Sequence, residues 1–257
     1  MAATRKRIVV KMGSGILANA KGTTLDERQF ERLTLELSGV IADGHECVIV
    51  SSGAVAAGLG VLGLKDRPED LAARQACAAI GQSKLMQSYS TNFATHGLNV
   101  AQLLLTYSDL DSRRAYLNIQ NTLARIFERR TVVPIINEND TVAVEELKFG
   151  DNDKLSAEVA VLVNADLLIL LTSVDGLQDE SGNTVPEVRD IDAVSRLVRQ
   201  EKGRFSVGGM DSKLQAVKVA LDAGISTYIA SGREAGRVKG IVAGKRLGTK
   251  FVVPGSG

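Results

Sequence analysis

The sequence is poor in the residues that build metal centres, disulfide frameworks and stacking platforms. Its 257 residues include two cysteines, two histidines and no tryptophan, and aromatic residues make up 4% of the chain. Cys47 and Cys77 lie in apolar surroundings that predict buried thiols rather than a disulfide or a zinc set. No Cys/His metal centre is therefore expected, a Ser-His-Asp triad has few candidates, and a platform for single-stranded nucleic acid is disfavoured.

A charge excess and long hydrophobic runs are also missing. The chain carries 31 Lys+Arg against 30 Asp+Glu, a net charge of +1, so its overall electrostatics give no reason to expect a nucleic-acid partner. No run approaches the roughly 18 apolar residues of a membrane span, and the N-terminal MAATRKRIVVK lacks the apolar core of a signal peptide. These absences predict a cytoplasmic protein with no membrane segment.

Short β-branched segments alternate with longer segments of helical spacing. The predicted strands are 7–11, 46–51, 99–105, 131–136, 166–171, 226–230 and 249–253, and the predicted helices are 26–43, 68–96, 113–129, 152–164, 191–201 and 211–223. This alternation predicts one α/β domain, a three-layer αβα sandwich with a mostly parallel central sheet. Pro134 predicts irregular pairing in its strand, and Asp175-Gly176 and Ser181-Gly182 indicate a hairpin within 172–190.

Glycine-rich turns follow three of the buried segments. In open α/β sheets ligands bind beyond the carboxyl ends of the strands, and glycine lets backbone N–H groups approach an anion. Lys11 ends a buried strand, which is unusual for a charge unless it points into a site. The G-x-G-x-x-G of residues 58–63 begins too far from its strand for dinucleotide binding, and the P-loop motif is absent. The three turns and their neighbours are Met12-Gly13-Ser14-Gly15, Ser52-Gly53-Ala54, and Gly208-Gly209 before Met210 and Lys213.

The densest polar cluster comprises Asn137-Glu138-Asn139-Asp140 and Gly150-Asp151-Asn152-Asp153-Lys154. An Asx-turn and a helix cap at Asp151 would explain only part of it. Its carboxylates and amides could hold a cationic amine, a metal-bound phosphate or an active-site lysine. Together with the glycine turns and lysines, the cluster indicates phosphoryl transfer, which needs positioning and positive charge but no histidine or cysteine.

These motifs resemble the glutamate 5-kinase family of the amino acid kinase superfamily. The resemblance covers Lys6 to about Val253, and its most specific part is the NEND–GDND pair, which acetylglutamate kinases, aspartokinases and UMP kinases do not share. It rests, in chain order, on VVKMGSG, IVSSGAVAAG, INENDTV, FGDNDKLSA, LLTSVDGL and GGMDSKLQAVKVA. It implies the carbamate kinase-like fold, with a substrate lobe at about 1–170 and a nucleotide lobe at about 171–257. It also implies Mg²⁺-dependent transfer of the ATP γ-phosphate to the side-chain carboxylate of L-glutamate, the first step of proline biosynthesis.

The resemblance also implies roles for individual residues. Lys11 and Lys213 would neutralise the transferring phosphate, and Asp153 would orient both lysines. Substrate contacts would come from Ser52, Gly53, Ala54, Asn137, Asp140, Asp151 and Asn152. Nucleotide contacts would come from Lys11, Gly13, Thr172, Ser173, Gly208, Gly209, Met210 and Lys213. A free α-ammonium needs carboxylates nearby, whereas an N-acetylated substrate does not.

The chain departs from the family pattern at three points. Ser173 stands where the family usually has aspartate, and Asp175 could either compensate or serve a turn. Gln178 stands where a tyrosine is common. The C-terminal PUA domain of many members is missing, so a naturally short member and a truncation are both open. The resemblance further implies proline feedback inhibition and a homo-oligomer, a dimer or a tetramer.

Two alternatives remain open. One is another kinase of the superfamily, acting on N-acetylglutamate, aspartate or UMP. The other is a non-catalytic regulator that binds a nucleotide or an amino acid on the same fold. The presence of Lys11, Lys213 and Asp153 disfavours the regulator.

Overall fold

Strands and helices alternate along the chain in a computed structural model that describes residues 4–143, 152–200 and 209–255. The strands are β1 (Arg7–Met12), β2 (Glu46–Ser51), β3 (Asn99–Leu105), β4 (Val132–Glu138), β5 (Leu167–Thr172), β6 (Glu187–Val188), β7 (Ser226–Ser231) and β8 (Thr249–Phe251). The helices are α1 (Ser14–Leu17), α2 (Glu27–Ala42), α3 (Ala54–Leu62), α4 (Leu71–Ala94), α5 (Tyr107–Asp111), α6 (Arg113–Phe127), α7 (Asp153–Leu162), α8 (Ile191–Gln200), α9 (Gly209–Asp222) and α10 (Arg237–Val242). None of the helices in these ranges is long and apolar enough to cross a membrane.

The strands form one eight-stranded sheet in the order β3-β4-β2-β1-β5-β7-β8-β6. β1 pairs in parallel with β2 on one side and with β5 on the other, so that Val9 lies beside both Val48 and Leu168. β8 runs antiparallel to β7. The predicted mostly parallel sheet is therefore confirmed. The sheet shows no boundary at about residue 170, because β5 pairs with β1 and with β7 in one continuous sheet. The division into two lobes therefore stays a prediction.

Both faces of the sheet are covered, as a parallel sheet requires. Successive residues of β1 point to opposite faces, so Val10 joins one apolar cluster and Val9 joins another. The first cluster contains Phe30 of α2 and Tyr89 of α4, whose rings meet edge to face. The second cluster contains Val159 of α7. The predicted three-layer αβα sandwich is confirmed.

Pro134 lies in β4 and leaves one side of that strand incompletely paired. β4 pairs with β3 along its whole length, from Asn99↔Val132 onward, but with β2 only at Ile49↔Ile135 and the next pair. Proline has no N–H to donate to a ladder. The predicted irregular pairing is confirmed, and the hairpin predicted in 172–190 is present as an antiparallel bridge between Gln178 and Thr184.

The sequence patterns missed α3 because its residues are almost all small and apolar, with no polar face to set a period. The G-x-G-x-x-G motif lies within α3 and at its C-terminal end rather than around a nucleotide. A Cβ atom at Gly58 would stand 1.9 Å from the Cys77 carbonyl oxygen, and one at Gly81 would stand 1.8 Å from the Ala54 carbonyl oxygen. These glycines therefore allow α3 and α4 to pack backbone against backbone. The other missed elements, α1, α5, α10 and β6, have six residues or fewer.

The two cysteines are buried and unpaired, as predicted. Burial raises the pKa of the Cys47 thiol to about 12. A thiol with so high a pKa is protonated at neutral pH and is a poor nucleophile.

Candidate active site

The carboxyl ends of the central strands meet at one edge of the sheet and surround a cleft of about 510 Å³. Seven residues that the sequence predicted for substrate or nucleotide line this cleft: Ser52, Gly53, Ala54, Asn137, Asp140, Asn152 and Ser173. They lie at or after the ends of β2, β4 and β5 or at the starts of α3 and α7, which are distant in sequence. The parallel sheet brings them together because parallel strands end at the same edge.

Two buried lysines share one buried carboxylate beside this cleft. The Lys11 ammonium lies 2.7 Å from Asp153 Oδ1, and the Lys213 ammonium lies 2.9 Å from Asp153 Oδ2. The exposed fractions are 3% for Lys11, 0% for Asp153 and 9% for Lys213. Asp153 opens α7, where the helix dipole favours a negative charge. The group contains two positive charges and one negative charge, which suits a site that receives an anion.

Glycines leave room around both ammonium groups. A Cβ atom at Gly13 would lie 3.2 Å from Lys11 Nζ, and one at Gly209 would lie 4.0 Å from Lys213 Nζ. The Gly209 carbonyl accepts a hydrogen bond from Lys213 at 3.1 Å. Gly13 and Gly209, both predicted for nucleotide binding, therefore lie beside the predicted catalytic lysines.

Two other predicted nucleotide residues make contacts within the fold. Met210 packs against the second apolar cluster, and Thr172 ends β5, where its carbonyl accepts a hydrogen bond from Gly232 N–H. Gly208, like the predicted substrate residue Asp151, lies outside the described residues.

Three side-chain amides form a hydrogen-bonded chain behind the cleft. Asn152 Nδ2 donates to the Ser51 carbonyl and, at 2.7 Å, to Asn137 Oδ1, while Asn137 Nδ2 donates to Gln82 Oε1 at 2.8 Å. Two backbone groups fix the direction of this chain, because the Ser51 carbonyl can only accept and Glu138 N–H, which bonds Asn137 Oδ1, can only donate. Both amide hydrogens of Asn152 are therefore used, and its side-chain oxygen remains as an acceptor on a residue that lines the cleft.

Asn152 also occupies the N-cap position of α7 but makes no capping hydrogen bond with its side chain. A capping Asn is typically worth about 1 kcal/mol to a helix. The side chain of Asn152 is instead held by β2 and β4. The start of α7 therefore lacks a capping hydrogen bond, and the Asn152 side chain is available to the site instead.

Asp140 supplies a carboxylate to the same cleft. Burial raises the pKa of Asp140 to about 6, and the positive charge of Arg67 opposes that shift. The carboxylate is therefore ionised at neutral pH although it is largely removed from water. A half-buried carboxylate and an amide oxygen that line one cleft are suited to bind an ammonium group.

The first turn of α3, by contrast, is suited to bind an anion. Gly53 is its N-cap and has φ +101°, a conformation that side chains rarely adopt. The cap has no side-chain hydrogen bond, and Ala54 and Val55 line the cleft. Uncapped N–H groups at the start of a nine-residue helix favour a carboxylate or a phosphate.

Several residues in the cleft or behind it gave no signal in the sequence. Gln82 lies 55 positions from its partner Asn137, and Arg67 lies in the connection between α3 and α4. Arg233 follows β7, and its guanidinium donates to the Gly15 carbonyl at 2.7 Å, which ties down the turn after β1. Only the packing of α4 and β7 against the strand ends places these side chains here.

Asp175 does not take the place of the aspartate missing at position 173. Its carboxylate is 2.9 Å from the Arg237 guanidinium and accepts a hydrogen bond from Ser231 N–H. Asp175 therefore joins the turn after β5 to β7 and α10, which is the structural alternative that the sequence left open.

Comparisons with known proteins agree with this geometry. Residues 6–231 match the amino acid kinase family. The chain is 44% identical to the glutamate 5-kinase of Myxococcus xanthus, over 98% of this chain and 68% of that protein. It is 45% identical to those of Syntrophotalea carbinolica and Thermus thermophilus, each over 96% of this chain and 67% of the relative. The carbamate kinase of Giardia has a similar fold, with a TM-score of 0.66, 18% identity and coverage of 97% of this chain and 99% of that one.

Proposed function

The chain belongs to the amino acid kinase family, and we propose from this premise that it is an ATP-dependent glutamate 5-kinase. It phosphorylates the side-chain carboxylate of L-glutamate to give L-glutamyl 5-phosphate, the first step of proline biosynthesis. The observation that carries the proposal is the buried Lys11–Asp153–Lys213 group beside a cleft that offers acceptors for an ammonium.

The lysine pair suits phosphoryl transfer. In this reaction the protein chiefly positions the reactants and stabilises negative charge as it moves between oxygens. We assign Lys11 and Lys213 to the phosphates and the transferring group. Asp153 holds both ammonium groups within 3 Å of its two oxygens, and this contact supports its role as the residue that orients them.

The cleft also distinguishes the two ends of glutamate. We assign the α-ammonium to Asp140 and to the side-chain oxygen of Asn152, with Asn137 acting through Asn152 and with Asp151 as a further contact. The reacting carboxylate would face Ser52 and the N–H groups that follow it, from Gly53 and Ala54. An N-acetylated substrate has no ammonium to offer, so the half-buried Asp140 carboxylate would lose its partner.

ATP would lie on the side of the C-terminal lobe, about residues 171–257. We assign its contacts to Lys11, Gly13, Thr172, Ser173, Gly208, Gly209, Met210 and Lys213. In the described ranges no group of three or more His, Cys, Asp and Glu side chains could hold a metal ion, and both oxygens of Asp153 contact lysines. Mg²⁺ characteristically binds through phosphates with few protein ligands, so we propose that it enters with ATP as part of the co-substrate.

Two further proposals rest on the resemblance to glutamate 5-kinases alone. One is that the chain forms a homo-oligomer, a dimer or a tetramer. The other is that proline inhibits the enzyme.

The test of the proposed function is ADP release from Mg-ATP with L-glutamate, N-acetyl-L-glutamate, L-aspartate and UMP in turn. Hydroxylamine in the same assay traps an acyl phosphate as a hydroxamate. Turnover and hydroxamate with L-glutamate alone are expected. Turnover with another substrate of the panel would support a kinase activity but contradict the proposed ammonium site. Folded protein that binds ATP but shows no turnover would favour the regulator.

The pH profile should report Asp140. Because burial raises the pKa of Asp140 to about 6, protonation below that pH removes the charge that attracts the ammonium. We expect kcat/KM for glutamate to fall below about pH 6, approaching about tenfold per pH unit. Initial rates across pH 5–8 measure the profile. The control is Asp140→Asn, which should lose this inflection while keeping those that arise from ATP, and an unchanged inflection in that variant would assign it to another group.

A further inference from the structure

Arg67 is a cleft cation whose guanidinium has no assigned role. Its side chain lines the cleft in the connection between α3 and α4. In the part of the chain that the structure describes, Arg67 makes no hydrogen bond and no ion pair. Arg233, by contrast, is bound to the Gly15 carbonyl. A guanidinium carries five N–H donors in a planar fork that matches a carboxylate.

The charge of Arg67 acts on the carboxylate of Asp140, yet the two side chains are not in ion-pair contact. A direct ion pair would have closed the space between them. Instead, both side chains line the same cleft, so a positive and a negative group are both available to a ligand there. An α-amino acid carries its ammonium and carboxylate on one carbon atom, so the groups that bind them must be neighbours.

We propose that Arg67 binds the α-carboxylate of the amino-acid substrate, opposite the ammonium held by Asp140 and Asn152. This inference rests on the proposed function and extends it, because it names the group that selects an α-amino acid over a simple amine. The γ-carboxylate would then be oriented toward the start of α3 and the buried lysines. Glutamate would be held at three points, two of them on its α-carbon.

The connection that carries Arg67 is anchored at both ends. At one end Gly63 closes α3 in the left-handed conformation, with φ +64°. At the other end the Asp70 carboxylate caps α4 by accepting a hydrogen bond from Ala73 N–H at 2.8 Å. The close contacts at Gly58 and Gly81 fix α3 against α4. The base of the Arg67 side chain is therefore held in place relative to the cleft, while its long side chain can adjust to a ligand.

The test compares two ligands that differ only in the α-carboxylate. 4-Aminobutanoate is glutamate without that group, and its inhibition constant against L-glutamate can be measured in the ADP-release assay. Arg67→Met should raise KM for L-glutamate by about 10- to 100-fold and leave the KM for ATP and the inhibition constant of 4-aminobutanoate within about threefold. Arg67→Lys should recover part of the loss, because it keeps the charge but not the fork.

The matched control is Lys65→Met, which removes an exposed cation from the same connection but not from the cleft wall. It should leave all three constants unchanged. Arg67→Met would overturn the inference if it left KM for glutamate unchanged, or if it weakened glutamate and 4-aminobutanoate equally. Wild-type protein that neither binds L-glutamate by calorimetry nor phosphorylates it would overturn the proposed function and this inference together. If the wild type phosphorylates L-glutamate and Arg67→Met leaves the KM for L-glutamate unchanged, this inference alone is overturned.

Discussion

Asp153→Asn should lower kcat by about 100- to 1,000-fold, which is the usual effect of losing one preorganised charged or polar group at a phosphoryl-transfer or oxyanion site. The substitution keeps the shape of the side chain and removes the charge that lies 2.7 Å and 2.9 Å from two ammonium groups. Lys11 and Lys213 would then repel each other, and neither would be held toward the phosphates. KM for glutamate should change much less than kcat, since the amino-acid end of the cleft is left intact.

The same substitution should destabilise the fold, because Asp153 is fully buried. Removing one partner of a buried ion pair typically costs about 3–5 kcal/mol. Denaturant unfolding measures this loss, and kcat must be taken at a temperature where circular dichroism shows the variant folded. Asp192→Asn is the control, because Asp192 pairs with Lys218 at the surface with exposed fractions of 60% and 48%. That variant should retain activity and lose little stability. If Asp153→Asn kept kcat within tenfold of wild type, Asp153 would not orient the lysines.

Asp140→Ala should raise KM for glutamate by about 30- to 100-fold or more, because truncating one side of a partly buried charge pair typically costs about 2–5 kcal/mol. KM for ATP serves as the internal reference and should change by less than about threefold. Steady-state rates with each substrate varied in turn give both constants. Equal increases in the two KM values would mean that Asp140 shapes the cleft and does not bind the substrate.

Asp140→Asn should weaken glutamate binding in the same way but stabilise the fold at neutral pH. Burial raises the pKa of Asp140 from its ordinary 3.8 to about 6, so the folded state binds the proton more tightly than the unfolded state does. The stability that this group contributes is therefore present at low pH and is lost as the pH rises from about 4 to about 6. A higher unfolding midpoint at pH 7 with a higher KM for glutamate would identify Asp140 as a residue kept for function at the expense of stability.

The sequence predicted the strand-and-helix alternation and most of the polar residues of the site for local physical reasons. Buried parallel strands require continuous apolar runs such as LLILL in β5, and those runs are visible without any tertiary information. The glycine at position 53 and the acidic and amide residues after β4 interrupt such runs, so they were also visible. α3 was missed because a helix of small apolar residues, packed on α4, has no amphipathic period.

The residue types that the proposed chemistry uses can be read along the chain: two lysines, one central aspartate, a polar cluster and glycine turns on an α/β framework. Lys11 and Lys213 are 202 positions apart, and their meeting at the two oxygens of Asp153 is visible only in the folded chain. The fold also joins Gln82 to the amide chain behind Asn152 and brings Arg67 to the cleft that Asp140 lines. Contacts of this kind depend on the order and direction of the strands and on how closely helices pack across them, and no local pattern along the chain encodes those distances.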